Sequence, residues 1–208
     1  MSAGSGDQVP NVTPDSETSL VLGEKLDELL VKKLREYQAN RTPRIIIVAS
    51  KGNLDWAYPP FILGSTAAAL GWDTSIYFTV YGIALIKKDL GSAISPVGNP
   101  AMPMKMPFGP TWLKQISWPM PNLMMAGLPG FERMATSLMK KTFRNKGVPD
   151  IAALRSLCID AGTLFYGCQM TMQVIGLTRG DLIREVTDCV SAVTFLEMAR
   201  KSDMCLYV

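Results

Sequence analysis

Residues Arg44-Ile-Ile-Ile-Val-Ala-Ser50 form an unbroken apolar run rich in β-branched side chains. A strand with one face in water alternates apolar and polar residues. A strand without that alternation is covered on both faces, as in a parallel sheet. Parallel strands need long crossovers, so helices should lie between them. The flanking sequence fits. Leu20, Leu22, Leu26, Leu29, Leu30 and Leu34 recur near helical spacing from Ser19 to about Asn40, behind a tail over residues 1–18 rich in Ser, Gly, Pro and Asp. That helix can pack on its own domain or on a partner subunit, and the own-domain packing is the reading taken. Pro59-Pro60 marks a helix start, Phe61 to Leu70 a helix rich in small residues, and Gly71 its end. Thr74 to Val80 reads as a second strand and Ile83 to Leu90 as a short helix. The pattern predicts an α/β fold.

The second half continues in kind. Phe131 to Arg144 carries an apolar face between lysines, and reads as a buried amphipathic helix with a basic end. Asp150 should cap a helix from Ile151 to Ala161. Thr163 to Cys168 reads as a short buried strand, followed by a helix that ends at Gly176. Thr178-Arg179-Gly180-Asp181 opens a further helix over Leu182 to Thr187, with a short strand near Cys189-Val190. Ser191 caps a helix over Ala192 to Lys201, and a last strand spans Asp203 to Val208. Cys205 and Cys189 read as structural residues, Cys205 in the core.

The join at Cys168 is the chemical candidate. There a thiol stands where a strand stops and a helix begins, beside free backbone N–H groups and the positive end of a helix dipole. Such a place stabilises a thiolate. The competing reading is an inert, buried cysteine packed as a small apolar side chain. The chain has no histidine, which excludes Ser-His and Cys-His nucleophile pairs within one chain and any His-containing metal site. The four cysteines, Cys158, Cys168, Cys189 and Cys205, form no C-x-x-C pair, so zinc-ribbon and thioredoxin readings fail. No metal and no cofactor is expected. The turn after Ser50 has neither G-x-G-x-x-G nor a Walker pattern. A net charge of +3 with scattered Lys and Arg gives no footprint for nucleic acid. No secretory signal precedes the cysteines, so a cytoplasmic setting with free thiols is expected.

One stretch breaks the pattern. From Leu90 to Phe131 the only charges are Lys105 and Lys114, among eight prolines, six methionines, Trp112 and Trp118. A structureless loop of that length is unusual inside a compact domain. Residues of about 91–147 read as an insertion that meets a partner subunit, another protein or a membrane surface, against the alternative that it folds over its own core.

Gly167-Cys168-Gln169-Met170-Thr171-Met172 through Ile175-Gly176 resembles the cysteine motif of the DsrE/DsrF-like sulfur-relay family, most closely its larger members with a Met-rich insertion. Asn53-Leu54-Asp55, Pro59-Pro60-Phe61, Phe78-Thr79-Val80-Tyr81-Gly82, Leu128-Pro129-Gly130 and the stretch from Ala192 to Val208 add to the resemblance, which covers roughly residues 43–208. It implies a flavodoxin-like layered fold with a mostly parallel sheet in one domain over residues 19–208, and a homo-oligomer. It also implies a cytoplasmic carrier that passes sulfane sulfur as a cysteine persulfide or thiosulfonate, with a small TusA-type carrier as partner. Cys168 maps onto the sulfur acceptor and Cys158 onto a second cysteine that would relay or resolve it. Asp55, Thr79, Gln169 and Thr171 are the expected substrate-binding or anion-binding residues; Asp55 and Thr79 stand at strand ends, where ligands of open α/β sheets bind. A carrier of this kind need not turn over a small substrate. The opposing reading is a non-catalytic binding or scaffold module anchored through the insertion, and a membrane-associated carrier would combine the two.

Overall fold

The computed structural model describes residues 16–91, 104–105, 110–112, 117–118 and 129–208. The chain divides into two units, residues 1–41 and 42–208. The first holds one helix, α1 (Ser16–Asn40), which begins three residues before the expected Ser19. Most of the tail and most of the Met/Pro-rich stretch lie outside the described residues. Within that stretch, β3 (Met104–Lys105) pairs antiparallel with β4 (Ser117–Trp118).

The second unit is built on a five-stranded parallel sheet. Its strands are β1 (Arg44–Ala49), β2 (Asp73–Phe78), β5 (Leu164–Cys168), β6 (Val186–Val190) and β7 (Met204–Tyr207), in the order β6-β5-β2-β1-β7. The chain steps outward from β1 through β2 and β5 to β6, then returns to lay β7 on the far side of β1. With helices flanking the sheet, this is the layered α/β arrangement that the apolar runs predict.

Strand pleating sorts the side chains into two clusters. Ile45, Ile47, Ala49, Ile76, Phe78, Phe165 and Val186 face the larger core. There α2 (Leu54–Ala69) and α4 (Ile151–Asp160) supply Ala57, Phe61, Leu154 and Cys158, and α3 (Phe131–Asn145) stacks Phe143 on Tyr58 at 4.2 Å between ring centres. Val48, Tyr77, Cys168 and Val190 point the other way into a smaller cluster. There α6 (Ala192–Arg200) stacks Phe195 on Tyr77 at 4.4 Å.

Several elements differ from expectation. Helix α2 starts at Leu54 behind Asn53, not at the proline pair, which lies inside it. Proline removes the N–H that would reach the carbonyl four residues back. The helix still runs through because Leu54, Ala57, Tyr58, Pro60, Phe61 and Gly64 are all buried. Val80–Ile86 is a 3₁₀ helix, not an α-helix from Ile83. Residues 182–187 form no helix: after a 3₁₀ turn at Arg179–Asp181 they lead into β6. The Arg179 guanidinium donates to the carbonyls of Ile183, Arg184 and Val186 and holds the loop open. Cys205 is exposed, not core. It lies on an edge strand, and its register with Ile46 turns it away from the larger cluster. The caps at Asp150 and Ser191 form as expected, each accepting a backbone N–H three residues on. Among the described residues no helix is long and apolar enough to cross a membrane.

Candidate functional site

The turns that follow β1 and β2 meet at the carboxyl end of the sheet. The Gly82 N–H donates to the Ser50 carbonyl at 3.0 Å. A Cβ on Gly82 would strike the Ala49 carbonyl, and one on Gly52 the Tyr81 carbonyl. The two turns touch this closely because neither glycine has a side chain. Between them Val80 adopts φ of +48°, the left-handed region that β-branched residues avoid. That backbone aims the Val80 N–H at Thr171 Oγ1, 3.1 Å away.

Beside this clasp β5 ends. Gly167 pairs with Phe78, so Cys168 falls level with Thr79 and diagonal to Tyr77. Cys168 is the N-cap of α5 (Gln169–Ile175), which Gly176 closes in the left-handed conformation, as expected. The side chain is almost wholly covered, at 4% exposure. Burial pushes its thiol up. Hydrogen bonds from the Thr171 hydroxyl, the Tyr77 hydroxyl, the Thr171 N–H and the Thr79 hydroxyl outweigh burial and bring it down from 9.0 to about 7.

The hydroxyl network explains how these donors are aimed. Thr171 Oγ1 accepts the Val80 N–H and lies 3.4 Å from Thr79 Oγ1. With the acceptor side engaged, its own hydrogen is free for the sulfur. Tyr77 is buried and its ring is fixed on Phe195. Its own pKa is raised by burial, by the bond to Cys168 and by the thiolate charge, the counterpart of a phenol donating to sulfur. Helix α5 is only seven residues long, so hydroxyls rather than a helix end supply most of the stabilisation. Such a site can hold a nucleophilic sulfur anion at neutral pH without a cation beside it.

The other expected residues stand as follows. Thr79 and Thr171 act directly on the sulfur. Gln169, the first residue of α5, is exposed, and Asp55 lies half-buried in the first turn of α2; neither is among the groups acting on the sulfur. Cys158 is fully buried in the larger cluster, on the opposite face of the sheet from Cys168. Its thiol donates to the Phe61 carbonyl at 3.2 Å, and burial pushes it up to about 11. The structure does not bring the two thiols together. Tyr77 is the residue that sequence reasoning misses. Its signal is the period of two on β2, which puts Tyr77 and Thr79 on one face. Tyr81, in the turn after β2, and Met170 and Val174, on α5, are exposed apolar side chains, and Lys51 Nζ lies over the Trp56 ring at 3.3 Å.

Residues 41–207 match the model of the DsrE/DsrF/DrsH-like family. The sulfur carrier protein DsrE2 of Allochromatium vinosum is 43% identical over 165 residues, 79% of this chain and 98% of that protein. The uncharacterized protein YrkE of Bacillus subtilis is 21% identical over 168 residues, 81% of this chain and 98% of that one. With a family match over residues 41–207 and a relative 43% identical over 98% of its own length, the chain belongs to the DsrE/DsrF/DrsH-like family.

Proposed function

We propose that the protein is a sulfur carrier that holds sulfane sulfur as a persulfide on Cys168. The observation that carries this reading is the triple hydroxyl cradle of Tyr77, Thr79 and Thr171 around a thiol brought down to about 7. The similarity to a protein named as a sulfur carrier supports it. In the loading step the Cys168 thiolate attacks the outer sulfur of a donor persulfide, R–S–SH. A sulfur–sulfur bond forms at Cys168, the donor's sulfur–sulfur bond breaks, and the donor leaves as the thiolate R–S⁻. No net oxidation occurs and no metal is needed. The reverse attack by an acceptor thiolate unloads the protein. A small TusA-type carrier suits either exchange, because Tyr81, Met170 and Val174 offer exposed apolar contact on the turn and helix next to Thr79 and Cys168. Free cysteines suit a reducing compartment such as the cytoplasm. Cys158 serves packing, since its buried, neutral thiol lies across the sheet.

The test is intact mass after incubation of the reduced protein with polysulfide. Wild type and Cys158→Ala should each gain a sulfur-sized increment that reductant removes, and Cys168→Ser should gain none. Loading that survives Cys168→Ser would refute the assignment. If no form loads and Cys168 reacts with alkylating agents only after denaturation, the thiol is a packing residue and the protein a binding module.

A further inference from the structure

Helix α1 lies outside the residues that the family model matches. It carries Leu26, Leu29, Leu30, Leu34 and Tyr37 along one side, at the spacing of a core-facing stripe. Each of the five is between 51% and 65% exposed. A single helix of 25 residues gains little stability in water on its own, so a stripe of this kind marks a docking surface.

The charges say which chain. Residues 24–28 hold Glu24, Asp27 and Glu28 against Lys25, a net of −2. Residues 32–36 hold Lys32, Lys33 and Arg35 against Glu36, a net of +2. Side-by-side parallel copies would set like charge against like at both ends. Antiparallel copies set the acidic half of each against the basic half of the other, and oppose the two helix dipoles as well. A lipid surface is a poor match, since the helix has five acidic and four basic residues.

We propose that α1 pairs antiparallel with α1 of a second copy, across a two-fold axis near Leu30, with the leucine stripe buried between them. The contact is isologous and closes on itself, so it makes a dimer and not a filament.

Sedimentation velocity of the full chain tests this. The double variant Leu26→Asp/Leu30→Asp should sediment with half the wild-type mass. A second set keeps the stripe intact and guards against a folding defect. Reversing the acidic half alone, with Glu24→Lys, Asp27→Lys and Glu28→Lys, should weaken association at least about tenfold. Adding Lys32→Glu, Lys33→Glu and Arg35→Glu to the same chain should restore it. Equal mass for wild type and the leucine variant would overturn the proposal and assign the stripe to another surface. Undiminished association after the acidic half alone is reversed would overturn the antiparallel pairing.

Discussion

At the scale of single residues, the site turns on how a thiol is kept both buried and charged. Burial alone would raise it, as it does at Cys158. Three hydroxyls and the Thr171 N–H reverse the sign at Cys168. Each is a hydrogen bond to a charged acceptor, worth roughly 1.5–3 kcal/mol. Loss of one should therefore raise the thiol by about one to two pKa units, at 1.36 kcal/mol per unit. The rate of iodoacetamide alkylation against pH should show a midpoint near 7 for wild type and a higher one for Tyr77→Phe and Thr171→Val. Thr171→Val should show the larger change, because it also strips the Val80 N–H of its acceptor. Unchanged midpoints would mean that the hydroxyls do not set the charge. The same shift predicts a pH-dependent stability. The folded thiol at about 7 lies below the ordinary value of 9.0, so between those limits the unfolded chain binds more protons and stability rises with pH. The contribution is complete above pH 9 and is lost as pH falls through 7; two units correspond to a stabilisation on the order of 3 kcal/mol. In urea titrations the stability difference between wild type and Cys168→Ser should widen by that order from pH 6 to pH 9. Cys158 works in the opposite sense, but only above pH 9, as its pKa is raised from there to about 11.

At the scale of elements, the two turns that frame the site depend on glycine. Gly82→Ala should cost roughly 1–3 kcal/mol in denaturant titration, as overpacking does, because the new methyl would meet the Ala49 carbonyl. It should also raise the alkylation midpoint, since Thr79 and Val80 move with the turn. Asp150→Ala should cost about 1 kcal/mol through the loss of the cap on α4 and leave the midpoint alone. The contrast separates site geometry from general stability. Elements whose cause is local were legible in the sequence: the apolar run of β1, the strand that ends in Cys168, and the caps at Asp150 and Ser191. Those with a distant cause were not. The prolines of α2 mark a boundary in local terms, and only burial of the helix face overrides them. For β6 a strand is expected only near Cys189-Val190; Val186 and Thr187, read as the end of a helix, join it through pairing with β5. Tyr77 gained its role from Cys168, 91 residues onward, on a strand that the fold lays alongside it.

At the scale of the whole molecule, the sheet decides which sulfurs can ever meet. Cys158 and Cys189 belong to the larger cluster, on the far side from Cys168. Cys205 is on β7, three strands from β5, a separation of about 14 Å at the usual strand spacing. A disulfide needs Cα atoms within about 7 Å. Oxidation of the folded protein should therefore leave Cys168 free of internal disulfides, a result that peptide mapping under non-reducing conditions can check. The sheet in effect works as a partition. Whatever group is placed on Cys168 cannot be drained by a neighbour in its own unit, so how long it stays there is set by the arrival of another molecule and not by the folded domain's own chemistry.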